Sequence, residues 1–176
     1  MGPLIDRMIR ASKLDVALYE EVEADPSTMG QAVLVVVISS VAAGIGSMAV
    51  TGFSGLIIGT LVALAGWFVW SFLTYIIGTK MLPEPQTRAD YGELLRTIGF
   101  SSAPGVIRIL AFIPFIGTLI NFLAGIWMLV AMVIAVRQAL DYQSTARAVG
   151  VCLIGWVIQL LFFIIIFGLL RPGQPA

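Results

Sequence analysis

The sequence predicts an all-α polytopic integral membrane protein: five transmembrane helices preceded by a cytoplasmic amphipathic helix. Three observations carry that expectation. Of the 176 residues 59% are hydrophobic and only 11% charged, about half the charged fraction of an ordinary soluble domain. The apolar residues gather into uncharged runs of about twenty, one bilayer thickness of helix. Eight of the ten Lys and Arg fall on the head and on alternate connecting segments, which gives the spans a direction.

The same composition excludes much chemistry. There is no histidine and a single cysteine, Cys152, so no disulfide framework, no Cys/His metal site and no histidine-based catalysis is expected. Cys152 lies inside an apolar run and reads as a small packing residue. The first apolar run begins only after thirty mostly polar residues, so no cleavable signal peptide is expected. The opening MGPLID lacks the Ser or Thr of a myristoylation signal.

Residues 1–27 form the cytoplasmic amphipathic segment. On a helical wheel Leu4, Ile5, Met8, Ala11, Leu18, Tyr19 and Val22 fall on one side, with Asp15 interrupting it. Arg7, Arg10 and Lys13 form a basic stripe on the other, suited to an anionic lipid surface at ~1 kcal/mol per basic group. Glu20, Glu21, Glu23 and Asp25 then reverse the sign, which suits a helix packed on the cytoplasmic loops of its own protein. Both readings stand.

A transmembrane domain follows over 28–171. Asp25-Pro26-Ser27-Thr28 restarts a helix with cap-type side chains and a proline suited to the first helical position. The first span is expected over about 31–51 and the second over about 56–79, joined by the uncharged turn Thr51–Gly55. Gly55, Gly59 and Ala63 put small residues four apart on one face, a pattern for close helix packing within the chain or for homodimerisation. Trp70 and Tyr75, near the Lys80 end, are expected at the membrane interface, with Trp67 deeper in the run.

Residues 80–97 make the longest polar loop, in which Asp90 and Glu93 have the spacing of a helix cap. The third span, about 97–113, is expected to kink at Pro104, with Ser101 and Ser102 available to satisfy freed backbone groups. A tight turn from Ile113 to Thr118 leads to the fourth span, about 118–136. After the polar loop Arg137–Arg147 comes the fifth span, about 148–170, and a short external tail, 172–176. Eight Lys and Arg lie in the head and the two polar loops, none in the opposite turns, and Arg171 alone follows the last span. The N-terminus is therefore expected in the cytoplasm and the C-terminus outside.

Arg108 is the one charge well inside a span. Six α-helical residues, ~9 Å, separate it from Pro114, so it can snorkel. With Asn121 and Gln159 it makes a candidate intramembrane polar site, either for an anion or lipid headgroup or as interhelical glue. All ten acids lie in the segments expected to be cytoplasmic, which argues against a proton- or cation-coupled carrier. No phosphate-binding loop, paired carboxylates or basic-aromatic surface for nucleic acid is present. Asp90, Glu93 and Arg96 read as capping and solvated charges. No catalytic residue, cofactor site or metal site is expected.

Several residues of the 91–140 stretch and its flank share a pattern. Leu94-Leu95-Arg96 leads into Ile98-Gly99-Phe100-Ser101 and Pro104; Ile113-Pro114, Gly117 and Trp127 follow; and Val136-Arg137-Gln138-Ala139 precedes Arg147-Ala148. In these the chain resembles the Yip domain (Ypt/Rab-interacting protein) family, over 90–150 in motif and 30–170 in topology. The resemblance implies a five-span protein with a cytoplasmic N-terminus. Eukaryotic members carry a long cytosolic head with an acidic-tyrosine-glycine-proline motif and a leucine-glutamate segment linked to Rab binding. Neither occurs here, and the short head is similar to that of prokaryotic members, so no vesicle-traffic role and no functional residue carries over. The expected function is a non-enzymatic scaffold, membrane-organising protein or accessory subunit in a prokaryotic plasma membrane. Its partners are the bilayer and other membrane proteins or itself, without nucleic acid or metal. The alternative is a small oligomeric permease or channel for an anionic or lipid-like solute, using Arg108, Asn121 and Gln159.

Overall fold

The computed structural model describes residues 2–170, with side chains as far as Leu161. Among these residues there are seven α-helices and no strand: α1 (Pro3–Ser12), α2 (Val16–Ala24), α3 (Met29–Gly46), α4 (Met48–Ile76), α5 (Tyr91–Ser101), α6 (Gly117–Ala139) and α7 (Thr145–Leu170). Pro26–Gly46, Met48–Met81, Tyr91–Phe112 and Gly117–Ala139 are each long and apolar enough to cross a bilayer, and Thr145–Leu161 is a shorter apolar stretch. Along α4 the side chains of Phe53, Ile58, Leu61, Val62 and Val69 are more than half exposed. In water such a face demands a cover; against lipid it needs none. The chain is a polytopic all-α membrane protein. The expected tail, 172–176, lies outside the described residues.

The head is two helices, not one. Leu14 adopts a left-handed conformation, φ 63°. Its N–H donates to the Ala11 carbonyl at 3.0 Å, and the Asp15 N–H donates to that of Arg10 at 3.1 Å, the paired bonds of a Schellman helix end. Asp15, which interrupts the wheel, is the joint itself: its carboxylate accepts the Ala17 N–H at 3.1 Å and caps α2. The elbow folds the acidic α2 back on α1, which corrects the expectation of a free basic stripe. Arg7 pairs with Glu21 at 2.8 Å and donates to Gln31 at 2.9 Å. Arg10 pairs with Asp15 at 2.8 Å and Glu21 at 2.6 Å; of the three, only Lys13 is exposed. Leu18, Tyr19 and Val22 are fully buried, while Ile5, Ile9 and Val16 stay exposed on the outer side.

The first hairpin is tighter than expected. α4 begins two residues after α3 ends, and the break falls at Gly52, with φ 66° and ψ −174°, a conformation open to glycine alone. α5 starts on the expected capping box: Asp90 accepts the Glu93 N–H at 2.9 Å and Glu93 accepts the Asp90 N–H at 2.7 Å. After Pro104 the chain does not resume an α-helix with a kink; it winds into a 3₁₀ helix, Ala103–Phe112. The tighter winding follows from the proline, which has no N–H to give to the α-helical pattern. Ser101 Oγ donates to the Ile98 carbonyl at 2.7 Å. Ser102 takes part through its carbonyl, which accepts Ser39 Oγ of α3 at 2.5 Å.

The buried face of α6 includes Gly117, Ala124, Ala131, Ala135 and Ala139, small residues that let helices approach closely in lipid. Its end repeats the design of α1: Asp141 has φ 52°, and the Tyr142 N–H donates to the Arg137 carbonyl at 2.9 Å. The polar loops then interlock, Glu84 meeting Arg147 at 3.2 Å and the Gln143 N–H at 3.0 Å. The Tyr142 hydroxyl lies 3.0 and 2.7 Å from the Gly78 and Leu82 carbonyls. Both loops thus share one end of the bundle, the loop end; the turns near Gly52 and Phe115 form the other. The core of large side chains, among them Tyr19, Leu94, Phe100 and Leu140, sits toward the loop end.

Candidate functional site

Toward the turn end the bundle opens into a cleft of about 550 Å³, bounded by α3, α4, α6, α7 and the 3₁₀ helix. α4 and α7 are in contact where Trp70 lies over Gly155, and a Cβ there would come within 3.1 Å of the indole. Beyond that contact α4 presents Gly55, Gly59, Ala63 and Gly66 to the cleft. Gly55, Gly59 and Ala63 thus line the cleft on the α4 side. A Cβ on Gly59 or Gly66 would meet nothing within 4 Å, and one on Gly55 would meet only Thr51, a turn earlier. The face is small, as expected, and among the described side chains nothing fills it. Trp70, expected at the membrane interface, is 8% exposed, and Trp67 is 6% exposed. The indole N–H of Trp67 donates to the Leu95 carbonyl at 3.0 Å, so these aromatics are held by α5 and α7 instead of by lipid headgroups.

Arg108 and Gln159 both line the cleft. The 3₁₀ helix brings Arg108 against the end of α3 because Gly46 has no side chain: a Cβ there would collide with the Arg108 carbonyl oxygen. The guanidinium lies over Gly125 of α6, with Nη2 at 3.9 Å from where a Cβ would stand. Arg108 Nε is buried without a hydrogen-bond partner. A 3₁₀ rise of ~2.0 Å per residue sets this side chain farther from the hairpin tip than an α-helical count suggests. Asn121 is exposed on α6, one turn from Gly125 on the same face, and is not among the residues that line the cleft. The structure therefore unites two of the three expected polar residues.

A second polar assembly sits at the loop end. Arg96, read as a solvated charge, is only 5% exposed. Its Nε donates to the Val22 carbonyl at 2.8 Å, and its Nη2 donates to the Glu23 carbonyl. These are carbonyls of the last turn of α2, which the helix itself leaves unpaired. No sequence signal separated Arg96 from the capping charges beside it. Burial, reinforced by the charges of Asp141, Glu93 and Glu20, pushes the Glu23 carboxyl up to about 7, against the pull of Arg96. Gln138 donates to Glu20 at 2.9 Å, and the Trp127 indole N–H donates to the Ser12 carbonyl at 2.8 Å. The head is therefore fastened to α5 and α6 at several points.

A family model, the Yip1 domain, matches residues 17–167. No curated protein and no solved structure matches the chain. The matched segment runs from α2 into α7, and so takes in Arg96, both cleft residues Arg108 and Gln159, and Trp127. The features that suggested the resemblance from sequence, including Pro104 and the Arg137 turn, lie within it. The chain belongs to the Yip1 domain family.

Proposed function

We propose that this protein is a non-enzymatic membrane scaffold or accessory subunit whose partner-binding surface is the loop end. The observation that carries this reading is the fastened head. Arg96 holds the end of α2, Gln138 holds Glu20, and Arg7 reaches Gln31, so head and loops form one preorganised polar platform. A preorganised surface binds with less ordering cost than a loose segment. In this reading the chain crosses a prokaryotic plasma membrane five times, α7 making the fifth span, with its N-terminus cytoplasmic and its C-terminus external. The eight Lys and Arg of the head and loops, against none in the turns, support that orientation. The partners are other membrane proteins, with no nucleic acid or metal.

The test is purification from native membranes in mild detergent, with partners identified by mass spectrometry and mass by light scattering. A stoichiometric partner that is lost when Arg96→Ala frees the head supports the reading. A homo-oligomer without a partner sinks it. The cleft that unites Arg108 with Gln159 favours one second reading, a small oligomeric permease for an anionic solute. Liposome anion flux that falls in Arg108→Leu would support it, and an absence of flux in the wild type would end it.

A further inference from the structure

The family match assigns no ligand to the cleft beside α4. We propose that this cleft holds one anionic lipid of the surrounding bilayer. The acidic headgroup sits on Arg108, and an acyl chain lies along Gly55, Gly59, Ala63 and Gly66 toward Trp70.

Charge comes first. Arg108 has a buried Nε with no acceptor, and it forms no ion pair among the described residues. A cation in lipid without a counterion is costly. Arg108 is the charged residue among the described residues lining the cleft, so a counterion for its guanidinium has to come from an occupant. At the mouth, level with Arg108 through its contact with Gly46, stand the hydroxyls of Ser47 and Thr51, 3.4 Å apart. Each donates to a backbone carbonyl of the preceding turn, Ser47 to Gly44 at 3.3 Å and Thr51 to Ser47 at 3.2 Å, so they make the rim polar and leave the headgroup's charge to Arg108.

Shape comes second. From Gly55 to Gly66 is eleven residues, ~16 Å of helix. Along that length the cleft, about 550 Å³ in all, is elongated. An elongated apolar groove floored by glycines suits an alkyl chain. Its floor has no side chain larger than a methyl group, and its far end is closed by the indole of Trp70 on Gly155. The exposed apolar residues of α4 place the open side in the hydrocarbon region, so the ligand enters sideways from the membrane. This inference does not depend on the scaffold reading: loss of a protein partner leaves it standing, and a bound lipid without solute flux separates it from the permease.

The experiment uses the full chain in phosphatidylcholine nanodiscs doped with phosphatidylglycerol brominated on its acyl chains. Trp67, Trp70 and Trp156 line the cleft and report bromine by loss of fluorescence. Brominated phosphatidylglycerol is expected to quench at a mole fraction about fivefold lower than brominated phosphatidylcholine, the preference one basic contact supplies. Arg108→Gln should abolish that preference, and Arg108→Lys should keep part of it. Gly59→Leu, at a position with open space around it, should block the chain and leave only the quenching of exposed indoles. Its circular dichroism and monodispersity check that the bundle is intact, and it keeps the test alive if Arg108→Gln does not fold. Equal quenching by the two lipids in the wild type overturns the proposal. So does a preference that survives both Arg108→Gln and Gly59→Leu. Relief of quenching by soluble glycerol phosphate would show a site for a free anion, and would also overturn it.

Discussion

The indole N–H of Trp127, midway along α6, donates to the carbonyl of Ser12 at the end of α1, 2.8 Å away and 115 residues apart in sequence. Farther along α6, Gln138 donates to Glu20 at 2.9 Å. Eleven residues, ~16 Å of helix, separate the two attachments. The head is thus tied to α6 at two levels, near its middle and near its loop end. Trp127→Phe keeps the ring but removes the donor. Loss of ~1 kcal/mol from one hydrogen bond should raise the rate of tryptic cleavage after Lys13 in intact membranes by about fivefold. An unchanged rate would show that the bond does not hold the head.

Arg96 serves two carbonyls at once, so its removal should cost more. Arg96→Ala strands the Glu23 carbonyl and leaves that of Val22 with only the Thr28 hydroxyl, 3.2 Å away; it is expected to lower stability by about 2 kcal/mol, read as a fall in unfolding temperature in detergent. Arg96→Lys, with one compact charge in place of a planar fork, should recover about half of the loss. A wild-type unfolding temperature in Arg96→Ala would refute the clamp.

Glu23 makes head docking depend on pH. Its carboxyl titrates at about 7 in the fold against 4.5 for the free group, so the fold favours the protonated form. The stabilisation is complete below pH ~4.5 and fades as pH rises through about 7. Protease resistance of the head should therefore decline between pH 5 and about 8, and Glu23→Gln should flatten the profile. A decline unaltered in Glu23→Gln would assign the titration to another group.

Two glycines at helix surfaces should respond in opposite ways to the same change. A Cβ on Gly46 collides with backbone oxygen, while one on Gly59 meets nothing within 4 Å. Gly46→Ala is expected to cost about 1–3 kcal/mol by forcing α3 from the 3₁₀ helix. Gly59→Ala should be neutral or slightly stabilising. Comparable unfolding temperatures for the two variants would contradict the close approach at Gly46.

Orientation can be read with a single thiol. In a Cys152→Ser background, Arg88→Cys places a thiol in the loop-end polar segment and Phe115→Cys places one at the opposite hairpin tip, where Phe115 is fully exposed. An impermeant maleimide should label Phe115→Cys in right-side-out vesicles and Arg88→Cys only in inverted ones. The reverse pattern would turn the proteins' threading around.

What could be read from the sequence was what neighbouring residues decide among themselves. The Asp90–Glu93 box is such a case, since both partners lie within one turn; so is the break at Pro104, and so are the apolar spans. The elbow at Leu14 and Asp15 was hidden because a helical wheel assumes one unbroken axis, on which a joint looks like a blemish. Arg96 was misread because its partners, the carbonyls of Val22 and Glu23, belong to a helix more than seventy residues earlier. The glycine face of α4 was correctly seen as small, but spacing describes only one side of a contact. Whether Gly59 faces a helix or open space depends on where α7 runs, and on the indole of Trp70 that meets it at Gly155. Arg108 was visible as a charge among apolar residues; that Gln159, fifty-one residues later, would line the same cleft depended on how the helices pack.

The 3₁₀ segment has a kinematic consequence. Its ten residues, Ala103–Phe112, advance ~2.0 Å and turn ~120° apiece, against ~1.5 Å and ~100° in an α-helix. Rewinding them as α-helix would shorten the segment by ~5 Å and swing Arg108 by ~100° relative to Ala103. Geometrically the segment is a screw, exchanging length for rotation, and the charge in the cleft rides on its thread.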